Sequence, residues 1–303
     1  MKCSLKQVVW VCALFALSQS CKHKADTGAE GKHTSDSSKM VVDESLQPIV
    51  DEELYIFKAL DSTEHPKVTY APENTAVNLL LADSLRFAIL PRDLYPNEYK
   101  TLRDRNVYPR VGRFAIDAIA IIVNKASNDT TITVSEIKNM LNGQAKQDKN
   151  IIFDNPNSGL VRYLKQLSGN TALTGKNIFS LKSNKDVIKY VAGHPNSIGI
   201  AGFAWLNDPD KDYADAVDNV KIVSVRNDVG KDQSAAYYTP SQTTLALKQY
   251  PLTRDLFIVN GTGKTGLGKA FEYFVRGDRG QRIILKSGIL PDNIPDRKIN
   301  IVK

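Results

Sequence analysis

Apolar and polar positions fall along the chain in blocks that predict strands and helices by turns. Met40-Val41-Val42 reads as a short strand, and Leu46, Ile49, Val50, Leu54 and Phe57 then follow at helical spacing. Pro48 stands in the first turn of that helix, where a missing N–H does least harm. Asp43-Glu44-Ser45 joins the two and puts Ser45 near the helix start. The unit recurs as Lys67-Val68-Thr69-Tyr70, the loop Pro72-Glu73-Asn74-Thr75, and a helix from Ala76 to Asp83. A strand from Leu85 to Leu90 comes next, then Pro91-Arg92-Asp93-Leu94 and a polar helix through Glu98 and Leu102. Phe114 to Val123 is the longest apolar strand and is interrupted by one acid, Asp117. A buried carboxylate needs partners, so Asp117 is expected to be hydrogen-bonded and structural rather than ligand-facing.

Thr133-Val134-Ser135-Glu136 is a capping box. Ile137, Met140 and Leu141 form the apolar face behind it, and Gly143 ends the helix. Ile151-Ile152-Phe153 predicts a strand and Asp154-Asn155-Pro156 a loop, with a helix opening at Asn157 or Ser158. That helix carries Leu160, Tyr163, Leu164 and Leu167 on one face and stops at Gly169. Asn184 to Val191 predicts a helix, Ser197 to Trp205 a buried strand, Tyr250 to Val259 a strand and Lys269 to Arg276 a helix. Strands alternating with helices in this way indicate an α/β layered domain with a mainly parallel sheet.

The strand–loop–helix at 151–164 carries the most suggestive chemistry. Free N–H groups at the helix start, the Ser158 hydroxyl and the helix dipole together favour an anion. Gly159 lets the backbone approach a ligand, and Arg162, one turn on, adds a full positive charge. An ordinary capped surface helix would use the same residues, so this stretch alone leaves both readings open.

Other motifs fail on inspection. Gly261-Thr262-Gly263-Lys264-Thr265-Gly266 satisfies G-x-G-x-x-G, but a P-loop's first glycine would fall at Ile258. No strand with an acid follows at the distance a dinucleotide site needs. Asp208, Asp210 and Asp212 resemble the start of a calcium loop, yet Tyr213 and Asn219 stand where Gly and Glu are required. A solvated acidic turn is expected instead. His65 and His194 have no sequence neighbours that suggest catalysis.

The chain has 303 residues, and its first twenty read as an export signal. Lys2 and Lys6 supply the positive end, and Val8 to Leu17 is too short to span a bilayer. Ser18-Gln19-Ser20-Cys21 is a loose lipobox, which makes Cys21 the expected lipidated first residue; simple signal cleavage is the alternative. Cys3 and Cys12 leave with the signal, so no disulfide framework forms within the mature chain. Residues 21–39 are polar and predict a flexible tether. Losing Lys2 and Lys6 lowers the formal charge of +7 to +5, mildly favourable for an anionic ligand or membrane surface. The cations are scattered, and no nucleic-acid motif is present.

Taken in order, several stretches resemble the phosphate-binding proteins of ABC-type phosphate importers. They are Asp117 to Asn124 with the capped helix ending at Asn142-Gly143, then Asn157-Ser158-Gly159, then Ile198-Gly199-Ile200-Ala201-Gly202. Tyr250-Pro251-Leu252-Thr253-Arg254-Asp255-Leu256 and the stretch from Gly280 to Pro291 complete the set, which spans nearly all of the folded part. The resemblance implies an α/β, two-lobed type II periplasmic-binding-protein fold: two sheets flanked by helices and joined by two crossing strands, near Phe114–Asp117 and Tyr250–Leu256. Lobe 1 would comprise 40–115 plus 251–303, and lobe 2 would comprise 116–250.

The function implied is non-catalytic: capture of inorganic phosphate between the lobes and delivery to an ABC permease. The protein would be monomeric, free of cofactor and metal, and tethered by lipid at Cys21 in the periplasm or at the cell surface. Ligand residues carried over are Ser45, Asn74, Thr75, Arg92, Asn157, Ser158, Gly159 and Leu160, with Arg162 beside them. Asp154 and Leu160 stand where the family has Arg and Thr, and the family's first-lobe Asp is not evident at Pro91-Arg92. A charge exchange across the cleft, with Arg92 and Asp154 in swapped roles, is one expectation. Asp43, Glu44 and Asp117 are further candidate ligand residues, and Asp154, Asp117 or Asp43 would take over as the acid that reads the phosphate proton. Alternatives are another oxyanion or small anionic solute, a surface lipoprotein that has lost its ligand, and a hydrolase using Ser158. The hydrolase lacks a G-x-S-x-G elbow and a His–acid pair.

Overall fold

The computed structural model describes residues 38–60, 65–144, 149–173, 175–263 and 265–294. The signal, Cys21, most of the tether and Lys264 lie outside the described residues. The first strand, β1 (Lys39–Asp43), pairs in parallel with β2 (Lys67–Ala71) and β3 (Phe87–Leu90). Lys39, expected in the tether, therefore already belongs to a sheet. Between these strands run α1 (Gln47–Leu60) and α2 (Glu73–Leu81), and α3 (Pro96–Asp104) leads to the fifteen-residue β4 (Arg110–Asn124).

Then come β5 (Thr131–Thr133), α4 (Val134–Leu141), β6 (Asn150–Phe153), α5 (Gly159–Ser168), β7 (Ile178–Ser180), α6 (Asn184–Gly193) and β8 (Ser197–Gly202). After the short helices α7 (Ala204–Asn207) and α8 (Ala214–Asp218) follow β9 (Val220–Ile222), β10 (Ser224–Arg226) and α9 (Gln242–Ala246). The chain closes with β11 (Thr253–Asn260), α10 (Leu267–Arg276), α11 (Asp278–Lys286) and β12 (Leu290–Pro291).

The strand order β2-β1-β3-β11-β4-β8-β6-β7 contains one arrangement twice. In the first half β1 lies between β2 and β3, and β11 runs antiparallel beside β3. In the second, β6 lies between β7 and β8, and the far part of β4 runs antiparallel beside β8. The strand β4 belongs to both halves: Arg110–Ala118 pairs with β11, and Ile119–Asn124 pairs with β8 and β9. This is the two-lobed type II architecture. Ile119 to Val123 are buried on both faces of the sheet, which explains their continuous apolar run.

Helix faces follow the predicted spacing. In α1 the residues Ile49, Val50, Leu54 and Phe57 are buried, and Phe57 meets Phe271 edge-on at 5.2 Å. Glu53 is buried among them, and neither carboxylate oxygen is hydrogen-bonded among the described residues. The Thr133–Glu136 capping box forms as expected: Thr133 Oγ1 accepts from Glu136 N at 3.2 Å, and Glu136 Oε2 accepts from Thr133 N at 2.8 Å. Gly143 follows in the left-handed region at φ 72°, a conformation that lets the chain leave the helix.

One expected strand is too long. β8 stops at Gly202, and Ala204–Asn207 turns into α7, because a short buried apolar run carries no period that separates strand from helical turn. The acidic turn is solvated and salt-bridged: Lys185 reaches Asp212 at 3.0 Å and Asp210 at 3.6 Å.

Candidate functional site

The two halves end their central strands in the same device. After β1 comes Asp43, whose Oδ1 accepts from the Ser45 N–H at 2.9 Å and from the Ser45 hydroxyl. After β6 comes Asp154, whose Oδ1 accepts from the Ser158 hydroxyl at 2.5 Å. Asn184, at the start of α6, donates from Nδ2 to Asp154 Oδ2 at 2.9 Å and accepts from the Gly202 N–H at 2.8 Å. Ser158 also caps α5, accepting from Val161 N at 3.1 Å. Asp43, Ser45, Asp154 and Ser158 are all buried, with at most 2% of any of them exposed.

Between these devices lies a charged cross-strand pair. Asp117 of β4 and Arg254 of β11 are direct register partners. Arg254 donates from Nε and one terminal nitrogen to Asp117 Oδ2 at 2.9 and 2.8 Å, and from the other terminal nitrogen to Ser45 Oγ at 2.9 Å. Asp117 Oδ1 has no hydrogen-bond partner among the described residues. Asp117 is thus a partnered, structural carboxylate, as expected, and its partner is the cation that reaches Ser45. Trp205 Nε1 donates to the Ser45 carbonyl at 2.8 Å and fixes that turn from the second half.

The halves touch at Gly159. Its N–H, the first of α5, donates to Asp43 Oδ2 at 3.4 Å. A Cβ on Gly159 would lie 2.4 Å from Pro91 Cγ and 2.5 Å from Glu73 Oε2, so this approach requires glycine. The Asp43 carboxylate therefore occupies the N-terminus of a ten-residue helix, where a negative group is stabilised.

Burial dominates the electrostatics. It pushes the Asp43 carboxyl up from its ordinary value, against the pull of Arg254 and the Ser45 hydrogen bonds. It pushes Asp154 up to about 7, with the Ser158 hydrogen bond opposing and the Asp43 charge adding. Glu44 also rises to about 7, through burial and then repulsion from Asp43, and its Oε1 is buried without a partner among the described residues. Burial disfavours the Arg254 charge, but Asp117 and Asp43 outweigh it and hold the guanidinium above its ordinary value. One buried cation stands among several carboxylates, and Asp154 exchanges its proton near neutral pH.

The other expected residues fall in two groups. Arg92 and Arg162 converge on buried Glu73, at 2.7 and 2.8 Å to Oε1. Glu98 binds the outer edge of Arg92 at 2.7 and 2.8 Å. Asn74, Thr75 and Asn157 are exposed, since α2 begins earlier than expected, at Glu73. Their backbones still meet: Asn74 N donates to the Asn157 carbonyl at 3.3 Å. Leu160 is wholly buried in the core.

Sequence reasoning did not single out Arg254, Glu73, Glu98 or Asn184. Arg254 had a visible signal, a cation inside one predicted apolar strand answering the single acid inside another. Glu73 and Glu98 had none, because acids near helix starts are common.

Comparison with known proteins agrees with this fold. A model described as the PBP superfamily domain matches residues 27–279, and the chain belongs to that superfamily. It is 26% identical over 266 residues to the phosphate-binding protein PstS of Borreliella burgdorferi, covering 81% of this chain and 86% of that one. A Clostridium perfringens structure, assigned as a phosphate ABC transporter substrate-binding protein and solved with bound phosphate, superposes with a TM-score of 0.69 at 19% identity. That match covers 84% of this chain and 99% of the other. An ABC-type phosphate transport receptor from Vibrio cholerae gives 0.62 at 16% identity, covering 83% and 98%. The type II fold and the resemblance read from the sequence are borne out.

Proposed function

We propose that the protein is an extracytoplasmic solute-binding lipoprotein that captures inorganic phosphate between its lobes and delivers it to an ABC permease. Residues 1–20 act as the export signal, Cys21 carries the lipid, and the following polar segment is the tether. The lobes divide into 40–115 plus 251–303 and 116–250. One observation carries the reading. Arg254 donates to the Ser45 hydroxyl, which donates to Asp43 Oδ1, while the Gly159 N–H at the head of α5 donates to Asp43 Oδ2, so all three donors are linked through one buried carboxylate. A cation, a hydroxyl and a helix N-terminus brought together are what a dehydrated oxyanion needs.

In this reading a phosphate oxygen takes the place of Asp43 Oδ2 at the head of α5, and further oxygens accept from Ser45 and Arg254. Asp43 or Asp154 then accepts the phosphate proton. That supplies the acid whose usual position is empty in this sequence. Arg92 and Arg162, expected as ligand cations, already bind carboxylates and act from the rim. Sulfate brings no proton, so its oxygens would face an ionised carboxylate. The relatives' phosphate-binding names support the choice of ligand.

A hydrolase is disfavoured by the Ser158 hydroxyl itself, whose partners among the described residues are a carboxylate and a helix amide. Thermal melting of the signal-free protein tests the proposal. Phosphate at a hundredfold its Kd should stabilise the native state by about 2.7 kcal/mol and raise the melting temperature. An equal concentration of sulfate should raise it far less. No shift with phosphate would overturn the reading.

A further inference from the structure

Four charges beside the buried site form a second cluster that joins the two halves of the sheet. Glu73, the first residue of α2, is only 1% exposed. Arg92, from the same half of the sheet, donates from Nε to Glu73 Oε1 at 2.7 Å. Arg162, on α5 of the other half, donates from Nε to both Glu73 oxygens at 2.8 and 2.9 Å. Arg92 is held in addition by Glu98 and by the Asp93 carbonyl at 2.8 Å. Arg162 has its own-helix partner in Gln166 Oε1 at 2.9 Å and reaches the Pro91 carbonyl at 3.4 Å. Gln166 Nε2 donates in turn to the Tyr95 hydroxyl at 3.2 Å.

This arrangement has an uncommon property: it can break without stranding a charge. If the halves part, Glu73 keeps Arg92, Arg92 keeps Glu98, and Arg162 keeps Gln166 while its guanidinium returns to water. Separating a buried ion pair is costly mainly when it leaves one partner uncompensated, and here neither half does so. When the halves meet, Arg162 finds a carboxylate already oriented by Arg92 and fixed at a helix start. A contact that can be made and broken in this way is suited to bias lobe closure.

We infer that Glu73 and Arg162 are a closure latch. Glu73 is a positioning residue that holds the closed form without touching the anion, and the pair sets how fast a bound ligand leaves. The inference rests on the proposed capture of an anion by lobe closure, and its direction can be told from simple electrostatics. A carboxylate beside an anion site normally repels the anion, so Glu73→Gln on those grounds alone would tighten phosphate binding. Freeing Arg162 to meet the anion directly would tighten it further. The latch requires the opposite.

Calorimetric titration and stopped-flow release should be run on the wild type, Glu73→Gln, Arg162→Gln and the double variant. Each single variant should weaken phosphate binding roughly tenfold, mostly through faster release, and the double variant should be no weaker than either single. Arg162→Lys, which keeps the charge, should recover much of the loss. Tighter or unchanged binding in Glu73→Gln would overturn the latch, as would independent losses that multiply in the double variant.

A ligand-free readout separates this inference from the phosphate reading. In solution scattering without any anion, both single variants should have a larger radius of gyration than the wild type. Equal radii would overturn the latch even if phosphate binds. A wild type that ignores phosphate would overturn the ligand assignment and leave the scattering test in force.

Discussion

Glu53 shows how one residue can carry a pH dependence for the whole fold. It sits on the apolar face of α1, 1% exposed, with both oxygens unpartnered among the described residues, and burial followed by the Glu52 charge pushes its carboxyl up to about 9. The unfolded chain loses this proton near 4.5, whereas the native state keeps it to about 9. The native state therefore binds the extra proton across that window. Its stabilising effect is complete below the lower value and is lost as pH rises through the higher one. The slope is about 1.4 kcal/mol per pH unit. Glu53→Gln removes it, so urea denaturation should show the variant gaining on the wild type by about 2–3 kcal/mol between pH 5 and pH 7. A constant difference between the two proteins across that range would mean that Glu53 is ionised and partnered.

At the scale of elements, the head of α5 joins stability to function. Ser158 caps the helix and holds Asp154 in place, so Ser158→Ala removes a cap and leaves a buried carboxylate short of a donor. The cap alone is worth about 1 kcal/mol. The lost Asp154 contact adds about 1–3 kcal/mol. Denaturation should show a fall of at least the cap's value, and an unchanged midpoint would mean the hydroxyl does neither job.

The strand–loop–helix around this site was legible in the sequence: the apolar run, the Asp-Asn-Pro loop and the stop at Gly169 each leave a local mark. So was the structural role of Asp117, because a single acid in an apolar strand must have a partner. The partner's identity was not legible, since the Asp117–Arg254 register is set by tertiary pairing over 137 residues of separation. The same holds for Arg92. Its charge invites a ligand, and only the fold reveals that Glu73 and Glu98 already enclose it. The end of β8 was misjudged for a local reason, the sameness of short buried strands and short buried helical turns.

At the scale of the molecule, one motif used twice builds the site. Each half ends its central strand in an aspartate that accepts from a serine shortly after it, and the shared β4 with β11 brings Asp117 and Arg254 between them. The candidate site thus draws on both halves, as the proposed capture between them requires. Its charge makes the account specific. In the proposed binding mode Asp154, raised to about 7, and Asp43, also raised, are the carboxyls placed to hold or receive a proton beside the anion. Phosphate carries that proton in, whereas sulfate requires one from solvent, and solvent supplies it less readily as pH rises through 7.

The direct test is calorimetric titration of the anion-free protein with phosphate and with sulfate at about pH 6.5 and about pH 8. The account predicts one phosphate per chain at both values. Sulfate should bind at least about tenfold more weakly at the higher pH, with a preference that widens from the lower pH to the higher. Sulfate binding as tightly as phosphate at pH 8, or no heat from either anion, would contradict it.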